Sequence, residues 1–216
     1  MKKGLFITIE GPDGAGKSTQ IEYIKNYLKE KNLQAIFTRE PGGTNISEKI
    51  REIILDKNNT EMGYMTEALL YAASRAQLVE EVIVPALNEG KIVICDRFVD
   101  SSIAYQGFGR DLGKCVEQIN SFAVAGNMPD LTLLLTVDSE KGIGRIEACS
   151  DSKRGEKDRL ERENMTFHQR VLEGYIALKN MYPDRIRAID ASQSIEAVSR
   201  DIKVQLDNLF REYYGV

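Results

Sequence analysis

Gly11-Pro-Asp-Gly-Ala-Gly16-Lys17-Ser18 constrains this chain more than any other stretch. It fits GxxxxGK[ST], follows the apolar run LFITI at 5–9, and opens an amphipathic pattern at 18–31 with Ile21, Ile24 and Leu28 on one face. Strand, glycine-rich loop and helix in that order make a phosphate cradle, the P-loop. Glycines let backbone N–H groups turn inward, and the helix N-terminus adds favourable partial charge. The expected ATP-binding residues are therefore Gly11, Pro12, Asp13, Gly14, Ala15, Gly16, Lys17, Ser18 and Thr19. Lys17 should reach the β- and γ-phosphates, and Ser18 Oγ should ligate Mg²⁺.

Such a loop needs a parallel sheet behind it, and the rest of the chain supplies one. Apolar runs at 92–95 and 131–137, with weaker ones at 35–38 and 186–189, lack alternation, as strands buried on both faces do. Helical patterns lie between them. One starts near Tyr64, with Pro85 expected to kink or restart it and Gly90 to stop it. Others carry Val116, Ile119, Phe122 and Ala123, then Phe167, Val171, Leu172, Tyr175 and Leu178. The last carries Ile195, Val198, Ile202, Leu206 and Leu209, behind Ser192 or Ser194 as cap. The expectation is an α/β fold: one domain over 1–216, a parallel sheet with helices on both faces, and ligands at the strand C-termini. No apolar run approaches the ~20 residues that span a bilayer. A net charge of -4 gives no general attraction to nucleic acid or anionic membrane, so local cations must hold any anionic ligand. Cys95, Cys115 and Cys149 show no CxxC spacing, which reads as reduced thiols in the cytoplasm.

Several P-loop chemistries remain. The base-reading motif NKxD of GTPases is absent: Lys57-Asn58-Asn59-Thr60 does not match it. Asp96 directly follows the 92–95 strand, where a carboxylate joins the Mg²⁺ shell, and Arg97 comes next. A cation there suits a second anionic substrate better than water activation, which favours phosphoryl transfer to a phosphate acceptor. The stretch 150–163 is dense in charge of both signs, as in a solvated loop or a mobile basic lid.

Three further segments decide the acceptor: Thr38-Arg-Glu-Pro-Gly-Gly-Thr44, Leu69-Leu-Tyr-Ala-Ala-Ser-Arg75-Ala-Gln77, and Asp96-Arg-Phe-Val-Asp-Ser-Ser-Ile-Ala-Tyr105-Gln106-Gly107. Taken singly, Arg75 would be an ordinary surface charge and Tyr71 or Tyr105 a core aromatic. Together, and with Phe167-His-Gln-Arg-Val-Leu-Glu-Gly-Tyr175 and Ile189-Asp-Ala-Ser192, they make the chain resemble the bacterial thymidylate kinases almost end to end. The resemblance implies a five-stranded parallel sheet, a short lid at about 150–163, and transfer of the ATP γ-phosphoryl group to dTMP with Mg²⁺, in a homodimer. It puts Arg39 and Arg97 on the acceptor phosphate, Arg75 on the thymine O4, and Tyr71, usually Phe in the family, in a stack on the base. Ser102 and Gln106 fall around the base, Tyr105 under the deoxyribose, Asp13 near the 3′-hydroxyl, and Glu40 and Asp96 near the metal with Ser18. Some members carry an arginine directly after the acid of the P-loop. Here that residue is Gly14, so the resemblance implies that the lid supplies the catalytic cation, Arg154 before Lys153 or Arg159. Other nucleotide kinases, or a P-loop ATPase or switch acting on a macromolecule, stand as the alternatives.

Overall fold

The computed structural model describes residues 3–150 and 158–215. Five parallel strands form one sheet in the order β2-β3-β1-β4-β5, where β1 is Phe6–Glu10, β2 Ala35–Arg39, β3 Ile92–Asp96, β4 Leu131–Thr136 and β5 Ile186–Asp190. β1, β3 and β4 are buried almost throughout. β2 and β5, the two weaker runs in the sequence, are the half-exposed edges. Fewer apolar residues suffice where one flank meets solvent. Register pairs Thr8 with Cys95 and with Thr132, which aligns the C-terminal ends of the central strands. Glu10, Arg39 and Asp96 therefore end their strands on the same edge of the sheet.

The helices are α1 Lys17–Glu30, α2 Asn45–Leu55, α3 Tyr64–Leu78, α4 Val84–Asn88, α5 Val99–Ser102, α6 Cys115–Val124, α7 Ser139–Ser150, α8 Met165–Met181 and α9 Ile195–Tyr214. One core cluster packs α1 and α9 on the sheet through Ile24, Leu28, Ile202 and Leu206. A second packs Leu78, Ile83 and Leu87 against Phe6 and Phe98. The expected disturbance at Pro85 is present. A wide π-type turn, Val79–Ile83, joins α3 to α4, because Pro85 has no N–H to continue the ladder. Gly90, at φ 77°, ends the helix. Ser194, rather than Ser192, caps α9 by accepting Ala197 N–H. A second wide turn, Ile103–Gly109, follows α5 and carries Tyr105 and Gln106. No helix of the described residues is long and apolar enough to cross a membrane.

Candidate active site

A cavity of about 720 Å³ opens at the C-terminal edge of the sheet. Asp13 to Gln20 line one half together with Arg145, Ala191, Gln193, Ile195 and Val198. Arg39, Glu40, Arg51, Tyr71, Arg75, Asp96, Arg97, Ser101, Ser102, Tyr105, Gln106, Asp158, Leu160 and Glu161 line the other.

The P-loop half is made mostly of backbone. Gly11, Gly14 and Gly16 have φ of 140°, 76° and 88°, the left-handed region that glycine adopts without penalty. At Gly14 a side chain is also excluded by space, since a Cβ would lie 2.1 Å from Gly142 O in α7. Lys17 is buried and folds back on its own loop, donating to Gly11 O at 3.1 Å and Pro12 O at 3.0 Å. Burial, then the nearby Arg97 charge, lowers its pKa to about 8 against the pull of Asp13, Asp96 and Glu10. Ser18 and Thr19 are exposed beside it.

The other half is a set of fastened side chains. Arg75, in α3, is 1% exposed. Its Nη1 donates to Ser102 Oγ at 3.0 Å and to Asn120 Oδ1. Its Nη2 donates to Phe98 O at 3.0 Å and pairs with Glu40. A guanidinium has five N–H groups, four of which are committed. Nε is the fifth; it is buried and has no partner. Burial pushes Glu40 up to about 7 against the attraction of Arg75, and its second oxygen, Oε1, has no partner.

Arg97 follows β3 in a left-handed conformation, φ 67°, its N–H on Ile9 O at 2.9 Å. Its Nη2 pairs with Asp13 Oδ1 at 2.6 Å and donates to Tyr105 OH at 3.2 Å, while Tyr105 donates to Asp13 Oδ2 at 2.8 Å. Burial alone would raise the Asp13 carboxyl. Arg97, then Lys17 and Tyr105, hold it at about 2 instead, so Asp13 is a carboxylate at neutral pH.

The structure brings the described site residues of the sequence analysis to this cavity or its floor, Arg159 excepted, with three refinements. Gly11 and Pro12 offer only carbonyls, to Lys17. Glu40 is turned to Arg75, which removes one of its oxygens from any metal shell. Arg39 sits on the rim, half exposed and paired with Glu48 at 2.9 Å, rather than bound inside the cavity. Gln106 is buried and donates to Glu67 Oε1 at 2.9 Å. Tyr71 lines the cavity, and burial, then Glu67, raises its phenol. Lys153 and Arg154 lie outside the described residues. Arg159 is no lid cation: it pairs with buried Glu67 of α3 at 2.6 Å and donates to Ile54 O at 3.0 Å. His168 is buried edge-on to Phe167, in keeping with a structural role.

Four residues were missed. Arg51 of α2 lines the cavity and donates to Pro41 O at 2.7 Å. Arg145 of α7 donates to Gly14 O at 3.4 Å and Ala191 O at 3.0 Å. Glu10 and Tyr175 lie behind Arg97. The helical spacing of Ile46, Ile50, Ile53 and Ile54 could have marked α2 and hence Arg51. Nothing local marks the others, whose partners are distant in sequence.

A family model described as thymidylate kinase matches residues 9–202. The chain is 52% identical to the thymidylate kinase of Clostridium novyi over 204 residues, 94% of this chain and 98% of that one. It is 51% identical to that of Lactobacillus helveticus over 214 residues, 98% and 100% of the two chains. The crystal structure of thymidylate kinase from Ehrlichia chaffeensis superposes with a TM-score of 0.76 at 31% identity, covering 95% of this chain and 99% of that one. A match of that extent, over the same loop, strand ends and helix that build the cavity, places the chain in the thymidylate kinase family.

Proposed function

We infer that the two halves of the cavity hold ATP and dTMP end to end, so that the γ-phosphoryl group passes in line to the dTMP phosphate, giving dTDP for dTTP synthesis. The observation that carries the acceptor half is Arg75, whose single unpartnered N–H is buried in the cavity wall. A carbonyl such as thymine O4 satisfies it; the amino group of cytosine, a donor, leaves it unpaired, at a cost of about 1–3 kcal/mol. Tyr71 supplies the stacking face, Ser102 and Gln106 the surroundings of the base, and Tyr105 the packing that excludes a ribose 2′-hydroxyl. Asp13, ionised and aligned by Tyr105, accepts the 3′-hydroxyl proton in a hydrogen bond. Arg97 and Arg39 hold the acceptor phosphate, guanidinium being the bidentate partner for such a dianion.

On the donor side the P-loop amides and Lys17 hold the β- and γ-phosphates, Lys17 leaving Gly11 O and Pro12 O for the stronger acceptors. Mg²⁺ fits the donor set: Ser18 Oγ is free beside the loop, and Asp96 Oδ1 is buried without a partner. Mg²⁺ typically takes one or two carboxylates plus phosphates and waters, so this sparse set suffices, with Glu40 at most an outer contributor. Bound there, it would neutralise charge on the transferring phosphate. No strong base is needed, because the acceptor dianion is already nucleophilic; positioning and cations supply the catalysis. A lid within about 150–163, ahead of Arg159, delivers Arg154 to the transferring group, and Arg154→Ala should lower kcat by on the order of 10³ while changing KM for dTMP little.

The enzyme acts as a cytoplasmic homodimer. Ile53, Leu69 and Phe122 expose apolar side chains on α2, α3 and α6, which pack together; Phe122 is 85% exposed. A second copy on that face would cover it, and Phe122→Asp should shift sedimentation to the monomer. The activity test is an acceptor panel of dTMP, dUMP, UMP, CMP, GMP and AMP with Mg-ATP. Preference for dTMP is expected. Preference for another monophosphate would identify a different nucleotide kinase, and ATP hydrolysis with no acceptor a switch.

A further inference from the structure

Glu10 ends β1, is fully buried, and has no role in the reaction described above. A carboxylate so placed is costly unless its lone pairs are filled. Oε1 accepts Phe98 N–H at 2.7 Å and Ser101 N–H at 3.4 Å. Oε2 accepts the Ser101 hydroxyl at 2.5 Å and the Tyr175 hydroxyl at 3.0 Å. Those two hydroxyls are hydrogen-bonded to each other at 2.7 Å, and both receive Arg97 Nη1, at 3.1 Å for Ser101 and 3.2 Å for Tyr175, beside its bond to Gly11 O at 2.9 Å.

The protons can be counted through this arrangement. Each hydroxyl has one hydrogen and two lone pairs. With the Ser101 hydrogen on Glu10 and the Tyr175 hydrogen shared between Glu10 and Ser101, each oxygen keeps a lone pair facing Arg97 and accepts from it. A neutral amide in place of the carboxylate offers one acceptor oxygen instead of two and adds a donor. A hydroxyl that loses its acceptor turns its hydrogen elsewhere, and Arg97 then meets a proton where it had a lone pair.

We propose that Glu10 is a positioning residue for phosphoryl transfer: acting through the Ser101 and Tyr175 hydroxyls, it fixes the direction of the Arg97 guanidinium. The proposal rests on the reading that Arg97 holds the acceptor phosphate. Arg97 needs this support because its backbone is in the left-handed region, where a non-glycine residue persists only when its surroundings hold it. From its far side it reaches Asp13 and Tyr105, so a turn of the guanidinium would displace both the phosphate cation and the sugar contacts. The strand, the α5 turn and α8 are joined at this one carboxylate, which ties the orientation to the folded core as well as to the loop contacts at Gly11 and Asp13.

A double-mutant cycle tests it, because coupled residues are non-additive and independent ones are not. Glu10→Gln, Arg97→Ala and the double variant are assayed for kcat and KM of dTMP, with thermal unfolding as a control. Glu10→Gln should lower kcat/KM for dTMP by roughly tenfold or more, the loss of a hydrogen bond to a charged group. In the Arg97→Ala background it should lower it no further. Tyr175→Phe and Ser101→Ala should show smaller losses, likewise absent without Arg97, and they carry the cycle if Glu10→Gln does not fold. Normal kinetics in Glu10→Gln, or an equal loss with and without Arg97, overturns the role of Glu10 while leaving that of Arg97 intact. Normal kinetics in Arg97→Ala alone overturns the phosphate role of Arg97 and the positioning role with it.

Discussion

The two halves of the cavity are built differently. In the acceptor half, side chains are fastened before any substrate arrives: Arg75 has four N–H groups committed, and Arg97 has acceptors at Gly11 O, Ser101, Tyr175, Asp13 and Tyr105. In the donor half the main chain carries the site, and Lys17 rests on two carbonyls of its own loop. The difference fits the reading that one half recognises a triphosphate and the other a base. A triphosphate is read well by backbone amides and one mobile cation. One base among several is read only by donors whose positions are fixed, because an unpaired buried donor is what rejects the wrong base. Arg39, exposed and paired with Glu48, and Arg51, resting on Pro41 O, are acceptor-side cations held more loosely.

The contrast can be broken at its strongest point first. Lys17→Ala should cut kcat by on the order of 10³ or more with the fold retained by circular dichroism, since this cation acts on transferring charge. A well-folded variant turning over dTMP near the wild-type rate would show that the loop amides suffice. Arg75→Ala should weaken dTMP binding by about 1–3 kcal/mol and leave ATP binding alone, as read by calorimetric titration of each nucleotide. Equal losses for both would mean that Arg75 holds the core rather than reads the base. Arg39→Ala should raise KM for dTMP only severalfold, because an exposed ion pair contributes about 0–1 kcal/mol. A loss as large as that at Arg75 would place Arg39 among the fixed residues.

The smallest effect concerns pH. Burial, then Asp100, raises Glu10 from the usual 4.5 to about 7, against Ser101 and Arg97. The folded state therefore holds that proton more tightly than the unfolded chain. Its contribution is full below about 4.5 and is lost as pH rises through 7. Gln at this position has no proton to lose. The Tm of the wild type should fall relative to Glu10→Gln by a few degrees between pH 5 and 8. A difference in Tm that does not change with pH would mean that Glu10 titrates alike folded and unfolded.

Much of this was legible in the chain because it is written locally. The P-loop, the central strands and the break at Pro85 each announce themselves within a dozen residues. Arg75 and Tyr71, one helical turn apart, were found through resemblance, and the burial of Arg75 came only with the fold. What stayed hidden is what distance assembles. Glu10 meets Tyr175 across most of the chain, and Glu67 joins Gln106 and Arg110 of one segment to Arg159 of another. A charged residue in α3 or after the lid reads as solvated surface until the partner that buries it is known. Arg159 illustrates the cost: ranked with the lid cations by its neighbours in sequence, it belongs to the body of the enzyme.

Gly14 and Gly142 touch through their backbones, with no room for a side chain on either: a Cβ at 14 would meet Gly142 O at 2.1 Å, and one at 142 would meet Asp13 O at 2.8 Å. That contact bears on how such an enzyme can change over time. An arginine at 14 would drive the loop off α7, so a single codon change cannot add a cation to the loop on the present backbone. The start of α7 would have to withdraw with it. The side chain that the loop can carry at 14 is thus limited by a glycine of α7, far away in the chain.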